Sequence, residues 1–355
     1  MKIVHVVGAR PNFMKLAPCA RALAAHPVEQ RIVHTGQHYD DSMSDSFFRD
    51  LGIAEPDVNL GVGSASHAVQ TARILERLEP VMLRERPSWA IVYGDVNSTA
   101  ATALVCAKIG IRVAHVEAGL RSGDRTMPEE INRLVTDRLA DLLLTPSRDA
   151  DENLRREGVD AGKIRFVGNV MVDSLLHALP AARATGYREQ MGLRDDGYVL
   201  VTLHRPSNVD LPQRLSTIMR LLAEITRFMP VVFPIHPRTR ERLQGAGLEQ
   251  LGTLQLLDPL PYHAMLDLVA GARVVITDSG GLQEETTALG IDCLTLRDNT
   301  ERPVTITEGT NRLVLDLEEL PVLARAAERR PKRRRPDGWD GRAGERVAIA
   351  LIEAS

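Results

Sequence analysis

The chain has 355 residues, 44% hydrophobic and 26% charged, with a formal net charge of −3. That size and balance fit a globular protein of two domains and argue against a general nucleic-acid binder. Its three cysteines, Cys19, Cys106 and Cys293, lie far apart among apolar neighbours and read as buried reduced thiols without metal-ligand spacing; no apolar stretch reaches the ~18 residues of a membrane span.

The opening "MKIVHVVGAR" reads as a strand over 2–7 rather than a signal peptide, so a cytoplasmic enzyme is expected. β-Branched runs predict further strands over 30–34, 89–93, 111–116, 141–145 and 164–167, then over 198–203, 230–235, 254–257, 273–277 and 292–296. Helical patterns fill the intervals; "STAATALVCAKIG" takes Asn97 or Ser98 as its N-cap and stops at Gly110. Strand–helix alternation means parallel sheets with crossover helices. The series breaks near 168–186, giving an α/β protein of two doubly wound, Rossmann-like domains facing across a cleft, residues 1–170 and 171–340, with 341–355 as a terminal helix returning to the first domain. The basic run "RRPKRRRP", Arg329 to Pro336, is broken by prolines and reads as a solvated loop. Neither half holds GxGxxG or GxxxxGK[ST], so no dinucleotide or Walker-type site is expected, and no cofactor or metal.

Ligands of open parallel sheets bind beyond the carboxyl ends of the strands, and those ends are polar here. The first series ends in Arg10 and Lys15, then Asp95 and Asn97, then Glu117. The second ends in His204 and Arg205, then His236 and Arg238, then Asp278 and Ser279-Gly280-Gly281, then Arg302. Each residue alone has an ordinary explanation: Asp95 as a helix cap, His204 as a structural histidine, Glu129 and Glu130 after Pro128 as first-turn acids. Together they make a site. A helix opening on Ser279, Gly280 and Gly281 offers backbone N–H groups to an anion; with Arg10, Lys15, His204, His236 and Arg302 it suits a diphosphate. Glu285, one turn on, suits a ribose diol. Asp95, Glu117 and Glu129 suit general acid–base chemistry, or alternatively the lining of a sugar's hydroxyls.

These segments resemble the non-hydrolysing UDP-N-acetylglucosamine 2-epimerases, of glycosyltransferase-B-like fold. "GARPNFMKLAP", "TGQH", "GDVNST", "HVEAGLRS", "VGNVMVD", "VTLHRPSN", "DSGGLQEE" and "LRDNTERPVTITEGTNRLV" occur in the family's order over nearly the whole chain. The resemblance implies a reaction without a redox cofactor. UDP leaves as the carbon-2 proton is removed, a 2-acetamidoglucal stays bound, and UDP re-adds to give the manno epimer. It places Arg10, Lys15, His204, Ser279, Gly280, Gly281 and Arg302 on the diphosphate and Glu285 on the ribose. Leu260 and Met265 of "DPLPYHAM" fall by the uracil, and Asp95, Glu117 and Glu129 among the acid–base candidates. Arg133 and Arg205 are expected to orient those acids. A homodimer is also implied. Two departures stand out: "QHYDDSM", Gln37 to Met43, where substrate-activated bacterial members have "QHREM", and "HRPSN" where they have "HRRE". Both point to absent or altered activation by substrate, and leave room for a modified sugar such as a diacetamido uronic acid. A glycosyltransferase of the same fold and a non-catalytic nucleotide-sugar sensor are the competing readings.

Overall fold

The computed structural model describes residues 1–37, 51–235, 237–245, 254–327 and 335–355. The chain divides into two compact units, Met1–His177 with Asp337–Ser355, and Ala178–Pro336.

The first unit runs β1 (Lys2–Val7), α1 (Arg10–Leu23), β2 (Glu29–His34), β3 (Val58–Asn59), α2 (His67–Glu85), β4 (Trp89–Tyr93), α3 (Asn97–Ile109), β5 (Arg112–Val116), α4 (Pro128–Leu139), β6 (Leu142–Thr145), α5 (Arg148–Arg156) and β7 (Ile164–Phe166), with α6 (Val170–Ala184) crossing the division. Its seven strands order as β3-β2-β1-β4-β5-β6-β7, all parallel. Helices cover both faces of such a sheet, so its strands read as continuous apolar runs, and every residue of the WAIVY of β4 is buried. The one polar residue inside β1, His5, meets Tyr93 Oη at 2.7 Å and Gln30 Oε1 at 2.9 Å, and burial pushes its pKa down to about 4, so the ring is neutral.

The second unit contains α7 (Tyr187–Gln190), β8 (Val199–Thr202), α8 (Pro206–Val209), α9 (Pro212–Ile225), β9 (Val231–Pro234), α10 (Pro237–Gly245), β10 (Leu254–Leu257), α11 (Tyr262–Gly271), β11 (Val274–Thr277), α12 (Gly280–Leu289), β12 (Asp292–Thr295), α13 (Val304–Thr307), β13 (Asn311–Leu313) and α14 (Leu320–Ala326). The strand order is β10-β9-β8-β11-β12-β13. Alternation along the strands builds a core on each face. Val199, Val201, Val274 and Ile276 enter one cluster; Tyr198, Leu200, Val232 and Val275 enter the other. Among the described residues no helix is long and apolar enough to cross a membrane. All three cysteines are free and buried, and burial pushes the Cys293 thiol up to about 11, which keeps it protonated.

The strands lie within a residue or two of the predicted ranges, but β3 and β13 add one edge strand to each sheet that the pattern missed. The cap of α3 also differs. Val96, which has no side-chain acceptor, is the N-cap, while Asn97 Nδ2 donates to Gln70 Oε1 at 2.8 Å and Ser98 Oγ donates to Gln37 Oε1 at 2.8 Å. Gly110 does end that helix, in the left-handed region at φ 73°.

The last helix, α15 (Ala343–Glu353), packs on α1. Pro18 lies inside α1 and has no N–H to give, so the Met14 carbonyl four residues back is released; the Ser174 hydroxyl donates to it. One residue earlier on α6, Asp173 accepts from the N–H groups of Ala343 (3.1 Å) and Gly344 (2.8 Å), capping α15 from another helix. Asp173→Ala would leave both N–H groups buried without this partner. The expected result is a loss of about 1–2 kcal/mol in stability, read as a lower urea midpoint with an unchanged m-value.

Candidate active site

In the first unit the strand order reverses between β1 and β4, and the polar residues collect at the carboxyl ends on either side of that point. The Lys15 ammonium, one turn into α1, lies 2.7 Å from Glu117 Oε2, and both side chains are under a tenth exposed. Glu117 follows β5 with φ 74°, a left-handed backbone that costs a side-chain-bearing residue energy and marks a position held by its surroundings. Gly94, at φ +62°, lies close by; a Cβ there would fall 2.5 Å from Lys15 Nζ, so a side chain at this position would displace the ammonium.

Asp95, next in the chain, receives two hydrogen bonds on Oδ2, from Arg133 Nε (3.0 Å) and Nη2 (2.6 Å). Arg133 Nη1 donates to Glu130 Oε2 at 2.7 Å. Glu130 in turn accepts from the backbone of Ser122 and Gly123. Burial pushes the Glu130 carboxyl up, but those N–H groups and Arg133 outweigh it and hold it below the usual range. Glu130 therefore anchors a loop, whereas Glu129 and Asp95 line a cavity of about 350 Å³ together with Gln37, His67, Gln70 and Asn97. Arg133 thus holds Asp95 by two hydrogen bonds.

In the second unit the reversal falls between β8 and β11. Asp278, fully buried at the end of β11, accepts from the backbone N–H of His204 and Arg205, from Asn208 Nδ2 at 3.0 Å, and from His204 Nδ1 at 3.0 Å. Burial pushes its carboxyl up; the His204, Asn208 and Arg205 contacts outweigh that and hold it low. The His204 ring is thus oriented by a fixed carboxylate while its side chain stays 56% exposed. Arg205 is engaged by Asp278 too, its Nε donating to the Asp278 carbonyl at 3.1 Å.

Ser279 caps α12 ahead of Gly280 and Gly281. A Cβ at Gly280 would lie 2.7 Å from Arg302 Nη1 and 2.9 Å from Glu301 Oε1, so the helix start and the arginine are packed together. Arg302 Nε also meets Glu284 Oε1 at 2.9 Å. Of the two acids in this helix, then, Glu284 is buried against Arg302 and Glu285 is half-buried. Leu260 and Met265 are half-buried against the core face formed with Tyr198 and Leu268. His236, the side chains of Arg10 and Arg238, and Tyr39 to Met43 lie outside the described residues, as does most of the basic run. Among the described residues no three His, Cys, Asp or Glu side chains are grouped to hold a metal ion. The motif reading missed the partners: Asp278 behind His204, Glu301 behind Arg302, and His115 with Asp137. The available signal was a charged or imidazole side chain inside an apolar run, which has to find a partner.

A family model described as UDP-N-acetylglucosamine 2-epimerase matches residues 21–352. The UDP-N-acetylglucosamine 2-epimerase of Methanocaldococcus jannaschii is 42% identical over 363 residues, covering 99% of each chain. The UDP-2,3-diacetamido-2,3-dideoxy-D-glucuronate 2-epimerase of Pseudomonas aeruginosa is 45% identical over 319 residues, covering 88% of each. The crystal structure of the M. jannaschii enzyme in complex with UDP-GlcNAc and UDP superposes with a TM-score of 0.90, covering 99% of this chain and 100% of that one.

Burial pushes the Glu301 carboxyl up, yet the guanidinium groups of Arg302 and Arg297 overcome it and hold it far below the usual range. A depressed carboxylate stabilises the fold above its unfolded pKa of about 4.3, and that contribution fades as pH falls toward the folded value. Glu301→Gln should therefore lower the urea midpoint at pH 7 and lose most of this difference near pH 2, measured by paired denaturation curves.

Proposed function

The chain belongs to the UDP-N-acetylglucosamine 2-epimerase family, and from that premise we propose that it interconverts UDP-N-acetylglucosamine and UDP-N-acetylmannosamine without net hydrolysis. The observation that carries this reading is the trio of Asp95 and Glu117, at strand ends of the first unit, and Glu129, in the first turn of α4, in a chain that matches an epimerase over 99% of its length.

Backbone N–H groups at Ser279, Gly280 and Gly281, with Arg302 and His204, stabilise charge as the glycosidic C–O bond breaks and UDP departs; Arg10, Lys15 and His236 complete the cationic set. Glu285 takes the ribose hydroxyls, and Leu260 and Met265 flank the base. One carboxylate of the trio removes the carbon-2 proton as the C–O bond breaks, leaving a 2-acetamidoglucal and UDP. Another returns a proton to the opposite face of carbon 2 while a β-phosphate oxygen re-forms the bond to carbon 1, so no atom is gained or lost. Arg133 aims Asp95 by two hydrogen bonds, the positioning that a base requires. A homodimer in the cytoplasm belongs to the same reading.

The P. aeruginosa relative supports a second substrate, a UDP-2,3-diacetamido uronic acid. Both sugars are to be incubated with the protein in heavy water and followed at carbon 2 by NMR. Deuterium incorporation with appearance of the manno epimer is expected; absence of exchange with either sugar refutes the epimerase. Asp95→Asn should reduce turnover by roughly 10³-fold or more while UDP binding, measured by calorimetry, stays within a few-fold. A collapse of UDP affinity would make Asp95 a ligand-holding residue instead.

A further inference from the structure

The inner strand β5 carries His115, fully buried. Its Nε2 lies 2.8 Å from the Gly94 carbonyl oxygen and its Nδ1 lies 2.6 Å from Asp137 Oδ1 on α4. A carbonyl only accepts, so Nε2 carries a proton. The other Asp137 oxygen, Oδ2, accepts from Gly119 N (3.0 Å) and from Arg121 Nη1 (2.7 Å). Arg121 is held from its far side by both oxygens of Glu157. One carboxylate thus reaches the turn that presents Asp95, through His115 and Gly94, and the turn that presents Glu117, through Gly119. Neither His115 nor Asp137 faces the cavity lined by Asp95 and Glu129.

We propose that the His115–Asp137 pair is a positioning unit that sets Asp95 and Glu117 relative to each other. The inference rests on the epimerase reading above for what the two carboxylates do. The mechanical argument is local. Gly94 takes a left-handed backbone freely, whereas Glu117 takes one at a cost and stays there only where neighbouring contacts over-determine it. His115 holds the first by its carbonyl. Asp137 holds the segment after the second by an N–H. Proton transfer depends steeply on donor–acceptor geometry, so releasing either turn slows chemistry more than it weakens binding.

The test uses two near-isosteric variants. In His115→Asn the shorter amide reaches the Nδ1 position, keeps Asp137 and releases the Gly94 carbonyl. In Asp137→Asn the amide can donate to Nδ1 while its oxygen keeps Gly119 and Arg121, so every contact survives without the charge. His115→Asn should lower kcat roughly 100-fold with KM within about three-fold, whereas Asp137→Asn should stay within about five-fold of the parent kcat. A His115→Asn kcat within two-fold of the parent, or an Asp137→Asn loss as deep as that of His115→Asn, overturns the proposal. If His115→Asn does not fold, ring ¹⁵N NMR of the unmutated protein decides: a hydrogen-bonded proton on Nε2 of His115 supports it and a bare Nε2 overturns it. If the unmutated protein epimerises neither sugar, the functional reading falls. The positioning claim is then judged by that spectrum and by whether the Gly94 carbonyl turns away in a His115→Asn crystal structure.

Discussion

A charge at the buried end of a parallel strand has to be answered by another charge or by backbone N–H groups, because leaving it unpaired costs several kcal/mol. Both units are organised around that requirement. Lys15 answers Glu117, Arg133 answers Asp95 and Glu130, Arg121 answers Asp137, and Arg302 answers Glu284 and Glu301. Around Asp278, backbone N–H groups, an amide and the His204 imidazole do the same. The outcome is a set of side chains fixed before any ligand arrives, which is the condition for electrostatic stabilisation without reorganisation.

The sheets were legible because buried parallel strands leave long apolar runs such as WAIVY and LLLT. Val58–Asn59 and Asn311–Leu313 escaped for the opposite reason: two or three residues are too few to carry a period. Asn97 and Ser98 have the right chemistry to cap a helix, and the pattern assigned them there, but burial recruited both side chains to Gln70 and Gln37. Local preference yields to tertiary contact of this kind wherever a polar group is enclosed.

Candidate site residues could be named because strand ends are where open sheets bind ligands. Their partnerships could not. Lys15 and Glu117, His204 and Asp278, or His115 and Asp137 are separated by long stretches of chain, and only the sheet order brings them together. Lys15 illustrates the gap: the resemblance places it on a diphosphate, while the fold sets its ammonium 2.7 Å from the buried Glu117 carboxylate.

The helix Ala343–Glu353 belongs with the first unit although the whole of the second is threaded before it. During ribosomal synthesis the amino-terminal sheet can pair its strands early, but Asp173 waits for the amides of Ala343 and Gly344 until the second unit has been translated. Closing so long an excursion adds only logarithmically to the entropy cost, so the arrangement is tolerable at equilibrium while ordering events in time. The nascent first unit stays incomplete until the second has emerged, and a premature stop codon before the final helix would strip it of its clasp without touching a single strand.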